Sequence, residues 1–217
     1  MNWAVEFEKW APGIDVYEYH SQTKKDRQQS LRLLRKNGGV CLTSYGVSAN
    51  NADLLGRDEK GRDDYIWDYV ILDEGHKIKN PSSKNAKGVR DIRAQNRIIL
   101  TGTPLMNNLK ELQVLFDWAH KGLLGTAKEF HKDYVMPITK GREKDATVNK
   151  QQFGDLLTQN LRTLIELYFL RRTKHTRTLL TLSASVNRLR NAITCIIFPR
   201  PMSSASICLL SSHEKFP

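Results

Sequence analysis

Two adjacent carboxylates, Asp73 and Glu74, directly follow the apolar run Tyr69-Val70-Ile71-Leu72. Such a run predicts a buried parallel strand, and open α/β sheets bind ligands at the carboxyl ends of their strands. One carboxylate could hold Mg²⁺ through water while its neighbour orients the water that attacks a phosphate. We assign Asp73 to magnesium and Glu74 to the water. The alternative is that the pair only caps the following helix.

A second strand candidate, Arg97–Leu100, also ends in polar residues, Thr101, Gly102 and Thr103. Thr101 follows Asp73 by about 28 residues, the length of one βαβ crossover, so the two strand ends are predicted to be neighbours. The hydroxyls of Thr101 and Thr103 could then bond Glu74 or His76 and sense a γ-phosphate. An ordinary turn ending at Pro104 is the alternative interpretation.

The elements that must position these residues follow an alternating pattern. Short apolar runs alternate with longer polar-apolar segments, which predicts an α/β fold with a parallel sheet. Ser21 is predicted to cap a helix that reaches about Lys36 and turns Leu31 and Leu34 toward the sheet. After Pro104 only helices are expected. The further candidates are strands at 14–19 and 39–43, helices at 112–119, 126–134 and 161–168, and an exposed loop at 137–150.

The amino-acid composition and charge indicate which classes of protein this chain can belong to. With 34 Lys and Arg against 23 Asp and Glu, the formal charge of +11 favours polyanionic partners such as nucleic acid. Three cysteines without CxxC spacing argue against a disulfide scaffold or a zinc ribbon, and no structural metal is expected. Neither a signal peptide nor a long apolar segment is evident, so a soluble intracellular protein is predicted. Residues 175–217, with Glu214 as their one acid and clustered serines, predict a poorly ordered tail.

Several segments together resemble the ATPase lobe of Swi/Snf-type DNA translocases in helicase superfamily two. They are WDYVILDEGHKIKN, RIILTGTPLMNNLKELQVLFDW, LLGT and YFLRRTK, and the resemblance extends from Asn2 to Lys174. The run from Pro137 to Thr147 is most similar to the excision-repair cross-complementing group six-like branch. The resemblance implies a partial RecA-like lobe over residues 1–105, a helical protrusion over 106–174 and a tail outside the family pattern over 175–217.

The resemblance also implies roles for individual residues. Asp73, Glu74 and His76 match the catalytic motif II, and Thr101, Gly102 and Thr103 match motif III, which couples nucleotide state to DNA. Met106 stands where the family usually has Gln. Candidate DNA contacts are Ser44 and Tyr45 in the TSY segment, Asn107 and Asn108, Arg171 and Arg172, and Lys77, Lys79 and Lys84 after motif II. For the arginines a salt-bridged helix end, and for the lysines a solvated face, is the alternative.

ATP, Mg²⁺ and double-stranded DNA are the implied ligands, chromatin proteins are possible partners, and the nucleus is the implied location. No GxxxxGK[ST] phosphate loop occurs in the 217 residues, and nothing after Lys174 resembles the family's second RecA-like lobe. We therefore expect the chain alone to be an inactive ATPase fragment of marginal stability. The rival readings are an RNA helicase and a non-catalytic module that binds nucleic acid or protein.

Overall fold

The computed structural model describes residues 3–20, 23–56, 66–102, 108–170, 193–194 and 206–211. The chain divides into two compact units. The first consists of Met1–Leu100 together with Phe198–Pro217, and the second consists of Thr101–Ile197. The boundaries at 105 and 174 that the resemblance implies remain predictions.

The first unit is built on a parallel sheet. The strands among the described residues are β1 (Val16–Glu18), β2 (Gly39–Ser44), β3 (Trp67–Asp73), β4 (Ala94–Thr101), β5 (Ile193–Thr194) and β6 (Ser206–Ser211). Within the first unit the order across the sheet is β1-β2-β6-β3-β4, and every pair in it is parallel. The predicted α/β class with a parallel sheet is confirmed, and all four predicted strands are present with bounds shifted by up to three residues.

Helices of the first unit connect these strands. They are α1 (Trp3–Trp10), α2 (Lys24–Asn37), α3 (Tyr45–Asn50), α4 (Ala52–Gly56) and α5 (Lys84–Asp91). The N-cap of α2 is Thr23, which forms a capping box with Asp26, whereas the predicted cap Ser21 lies outside the described residues. Leu31 and Leu34 of α2 are buried, as their spacing predicts.

The tail contains a strand that the sequence did not predict. Residues 206–211 form β6 in the interior of the sheet, and Cys208, Leu209 and Leu210 are buried. The prediction of a poorly ordered tail is therefore wrong for these six residues. The physical reason is that Ile207-Cys208-Leu209-Leu210 is a short apolar run bounded by serines, which suits a strand covered on both faces. The remaining tail lies outside the described residues, apart from β5.

The second unit is helical over residues 108–170. Its helices are α6 (Leu109–Ala119), α7 (Ala127–Phe130), α8 (Met136–Gly141) and α9 (Val148–Glu166), and a π-helical turn, His131–Val135, joins α7 to α8. The start of the helix predicted over 126–134 is therefore correct, since Thr126 is the N-cap of α7. The helical segment extends beyond residue 134 through the π-helical turn into α8. The absence of β-strands between 108 and 170 agrees with the predicted change of pattern.

The loop predicted from Pro137 to Lys150 is largely wrong. Met136–Gly141 is helical, and α9 already begins at Val148. Pro137 lies in the first turn of α8, directly after the π-helical turn His131–Val135. Gly141 is not a loop glycine but lies where α8 approaches α9, because an added Cβ would come 2.7 Å from the carbonyl oxygen of Lys150.

Two further observations concern the described residues as a set. Within them, no helix is both long and apolar enough to cross a membrane. Cys41 and Cys208 are buried free thiols at paired positions of β2 and β6. A hydrogen bond with the Cys41 thiol, followed by burial, raises the pKa of Cys208 well above its usual value, which keeps this thiol protonated and unreactive.

Candidate active site

Asp73 is the last residue of β3, a strand enclosed by the protein. Trp67, Val70 and Leu72 of this strand are completely buried, which is why the run is apolar and why the first carboxylate comes only at its end. Asp73 is paired in register with Leu100, the residue before Thr101 on β4. The carboxyl ends of β3 and β4 therefore lie side by side, at the edge where open α/β sheets bind ligands.

Two long-range hydrogen bonds fix Asp73. The indole Nε1–H of Trp3, on α1, donates to Oδ2 of Asp73 over 3.0 Å. The hydroxyl of Tyr45, at the start of α3, donates to the backbone carbonyl oxygen of Asp73 over 2.9 Å. The first bond orients the carboxylate and the second holds the backbone that carries it. Sequence reasoning missed the role of Trp3, since no local pattern relates residues that far apart.

Ser44 and Tyr45, predicted to contact DNA, are both buried. The hydroxyl of Ser44 caps α3 by accepting a hydrogen bond from the backbone N–H of Val47. Burial, followed by the negative charges of Asp73 and Glu74, raises the pKa of Tyr45 well above its usual value, so the phenol remains a hydrogen-bond donor. The structure therefore places these two side chains beneath the site rather than on a surface that could meet DNA.

Glu74 has an unusual backbone conformation. Its φ of 54° and ψ of 50° put it in the left-handed region, and it is the one non-glycine residue with positive φ among those described. Left-handed backbone is disfavoured for a residue with a Cβ and tends to occur at functional sites. A 3₁₀ turn, Gly75–Ile78, begins at the next residue, and Gly75 is required there because an added Cβ would collide with the Ile99 side chain of β4.

His76 faces the Glu74 carboxylate. Its Nδ1 lies 3.2 Å from Oε2 of Glu74, and both side chains are partly exposed. Nδ1 of His76 has no hydrogen-bond partner among the described residues, and an ion pair with Glu74 would require a protonated imidazole. Asp73 therefore ends β3, and Glu74 and His76 follow it into the 3₁₀ turn, whereas the catalytic roles predicted for the three residues remain predictions.

The predicted motif III residues are only partly described. Thr101 is buried at the end of β4 and Gly102 is exposed, whereas Thr103, Met106 and Asn107 lie outside the described residues. The proposed contacts of the threonine hydroxyls with Glu74 or His76 remain predictions. Asn108 has a structural role, because its Oδ1 accepts hydrogen bonds from the backbone N–H groups of Lys110 and Glu111 at the start of α6.

Of the lysines and arginines predicted to contact DNA, only the lysines lie among the described residues. Lys77, Lys79 and Lys84 are exposed, and Lys84 opens α5, which Ser83 caps. Lys87 and Arg90 of the same helix are exposed as well. Arg171 and Arg172 lie outside the described residues. Five cationic residues therefore follow the carboxylate pair in sequence on an exposed surface of the first unit.

The donor set at Asp73 suits a magnesium ion shared with other ligands. Among the described residues no group of three or more His, Cys, Asp or Glu side chains could enclose a metal ion. Mg²⁺ keeps several waters and commonly takes one or two carboxylates plus substrate phosphates, so a single oriented aspartate is a sufficient protein ligand. The carboxylate of Asp73 is oriented by Trp3 and remains partly exposed.

A parallel sheet with an Asp-Glu pair at the end of an inner strand is the arrangement expected of a nucleotide-hydrolase type of lobe. The protein family described as the SNF2-related domain matches residues 1–192, and the chain belongs to this family. The DNA excision repair protein ERCC-6-like of Danio rerio is 49% identical over 174 residues, 80% of this chain and 12% of that protein. Its Homo sapiens counterpart is 47% identical over 173 residues, 79% of this chain and 14% of that protein.

A solved structure has the same fold. The Sulfolobus solfataricus SWI2/SNF2 ATPase core in complex with dsDNA is 29% identical and superposes with a TM-score of 0.63, covering 82% of this chain and 32% of that one. The resemblance to Swi/Snf-type ATPases and to their group six-like branch is thus confirmed. The chain spans 12% to 14% of the two ERCC-6-like relatives.

Proposed function

We propose that this chain is the part of an ATP-driven double-stranded DNA translocase that holds the magnesium and the attacking water. The observation that carries the proposal is the position of Asp73 and Glu74 at the carboxyl end of β3, beside the end of β4, with Asp73 fixed by Trp3 and Tyr45. Membership of the SNF2-related family supports the use of ATP.

Each residue at this edge has a separate task. Asp73 would hold the ion through water, and the hydrogen bond from Trp3 to Oδ2 fixes the orientation of its carboxylate. Glu74 accepts a proton from the attacking water and orients it, and the imidazole of His76 lies beside the Glu74 carboxylate. Bound magnesium supplies charge neutralisation at the phosphate oxygens.

Double-stranded DNA is the partner that the chemistry favours. The formal charge of +11 and the exposed cations after Glu74 suit a phosphate backbone, since each neutralised phosphate releases condensed counterions. A relative of the same fold was solved in complex with dsDNA. By kinship with ERCC-6-like proteins we extend the proposal to a nuclear protein that acts in DNA repair or chromatin remodelling, with chromatin proteins as further partners.

We further propose that the chain alone hydrolyses almost no ATP, since its 217 residues contain no phosphate-loop motif. The first test is ATP turnover of the purified chain with and without duplex DNA. We expect no stimulation by DNA. Stimulated turnover that is lost in Glu74→Gln would overturn the inactivity and support the assignment of Glu74. Salt-sensitive DNA binding that ignores Mg-ATP would favour the non-catalytic module instead.

The second test uses a chimera. Residues 2–174 replace the matching segment of the human ERCC-6-like protein, to which the chain is 47% identical. We expect DNA-stimulated hydrolysis, reduced by about 10²- to 10⁴-fold in Glu74→Gln with Mg-ATP still bound. Asp73→Asn should instead weaken Mg-dependent nucleotide binding. A chimera whose turnover survives Glu74→Gln would rule out the role of Glu74, and preference for single-stranded RNA would contradict the DNA assignment.

A further inference from the structure

Strand β6 occupies the position between β2 and β3. Cys208 is paired in register with Cys41 of β2 on one side and with Val70 of β3 on the other. In the described sheet, β2 and β3 are therefore joined through β6 rather than directly. Residues from the far end of the chain consequently set the spacing between these two strands.

Both neighbours of β6 end in the candidate active site. Ser211 is paired with Ser44, the residue before Tyr45, and Leu210 is paired with Leu72, the residue before Asp73. The hydrogen bond from Tyr45 to the carbonyl oxygen of Asp73 thus connects two strand ends that β6 separates. Its length of 2.9 Å depends on the spacing that β6 imposes, because a hydroxyl bond is lost within a fraction of an ångström.

The two faces of β6 contact different surroundings. Leu209 belongs to a buried cluster with Val40, Leu42 and Tyr69, and Trp3 packs against that cluster. Leu210 is also completely buried, but alternation along a strand turns it to the opposite face of the sheet. A change at Leu210 can therefore reach Trp3 through the strand ends and Asp73 without altering the packing around Trp3 itself.

We propose that the strand Ser206–Ser211 is a positioning element of the Asp73 site, which holds β2 and β3 at the spacing that the bond from Tyr45 to Asp73 requires. This proposal concerns how β6 positions Asp73. Only the role of Asp73 in ATP hydrolysis rests on the proposed function. Tests of the positioning therefore need neither nucleotide nor metal, so that a failure here is distinguishable from a failure of the ATPase assignment.

The first experiment records the indole N–H signals of the full chain labelled with ¹⁵N-tryptophan. The signal of Trp3, assigned with Trp3→Phe, reports the bond to Asp73. We expect Leu210→Ala and Tyr45→Phe to shift it in the same direction, and the double variant to shift it no further than the larger single effect, as coupled residues do. Leu210→Met, which restores the side-chain volume, should return the signal toward its original position.

The controls separate positioning from general loss of stability. Trp118, in the second unit, should keep its signal in every variant. Leu33→Ala changes a leucine of the first unit that is 42% exposed, and we expect it to leave Trp3 unchanged. A Trp3 signal that ignores Leu210→Ala, or fully additive shifts from Leu210 and Tyr45, would overturn the proposal.

The second experiment measures whether β6 is inserted at all. Amide hydrogen exchange of the unaltered chain should show residues 207–210 protected to an extent similar to residues 40–43 and 69–72, about a hundredfold or more relative to an unstructured peptide. Unprotected amides at 207–210 beside a protected β3 would contradict the proposal even if every variant folded poorly.

Discussion

At the scale of single residues, Asp73 depends on a donor 70 residues earlier in the chain. We predict that Trp3→Phe weakens Mg-dependent nucleotide binding in the chimera by about 10- to 100-fold, the range typical of lost hydrogen bonds to metal-ligating side chains. Phenylalanine keeps a ring against Phe7 but removes the donor. Titration calorimetry at varied Mg²⁺ concentration provides the measurement. Trp10→Phe, which removes an exposed indole bond to Glu6, is the matched control and should change nothing.

Glu74 stores conformational strain at the site. Because left-handed backbone suits Asn better than Glu, we predict that Glu74→Asn unfolds with a free energy about 1 kcal/mol higher than Glu74→Gln. Both variants lose the negative charge, so the comparison isolates the backbone. Urea denaturation of the two proteins gives the difference. Equal stabilities would mean that the surrounding structure relaxes to remove the strain.

At the scale of elements, the crossing of α8 and α9 depends on two facing glycines that differ in the space available to a Cβ. An added Cβ at Gly141 would come 2.7 Å from the carbonyl oxygen of Lys150, whereas at Gly154 the closest atom is 3.4 Å away. We predict that Gly141→Ala destabilises the chain by about 1–3 kcal/mol, as overpacking does. Gly154→Ala should be neutral or stabilise by up to about 1 kcal/mol, through helix propensity. Thermal unfolding of both variants distinguishes these outcomes.

The start of α7 makes stability depend on pH. The backbone N–H and hydroxyl of Thr126 both donate to Glu129, and these bonds lower the pKa of the Glu129 carboxyl below its usual value. A lowered pKa in the folded state means that the stabilisation is present at neutral pH and is lost as pH falls through that pKa. Glu129→Gln should therefore be less stable than the unaltered chain at pH 7, with the difference disappearing in acid. Unfolding of both proteins at several pH values measures the difference in stability. A difference that does not change with pH would exclude the lowered pKa of Glu129 as its cause.

The elements that the sequence predicts are those with a complete local signal. The runs 69–72 and 97–100, and the spacing of Leu31 and Leu34, correctly predict β3, β4 and the buried face of α2. The grouping of Asp73, Glu74 and His76 follows from their adjacency. The bond from Trp3, the insertion of β6 and the helical identity of Met136–Gly141 could not be predicted, because each depends on tertiary contacts that propensity does not encode.

At the scale of the whole molecule, the excess of positive charge should make the proposed DNA binding sensitive to salt. We predict that Lys77→Ala and Lys84→Ala each reduce the slope of log affinity against log salt by about 0.9, the value for one lost phosphate contact. Fluorescence anisotropy with duplex DNA at several salt concentrations gives the slope. Lys36→Ala removes the same charge at an exposed position of α2 and should leave the slope unchanged. Equal effects of all three variants would indicate binding through net charge alone.

The central place of β6 also affects how the chain acquires its structure during synthesis. β6 emerges from the ribosome well after β2 and β3, yet it pairs with both of them. Loop-closure entropy makes such distant pairing slow, and until it occurs the inner edges of β2 and β3 remain open to other chains. Newly made protein should accordingly depend on chaperones and be prone to aggregation until β6 has been made and has paired with both strands.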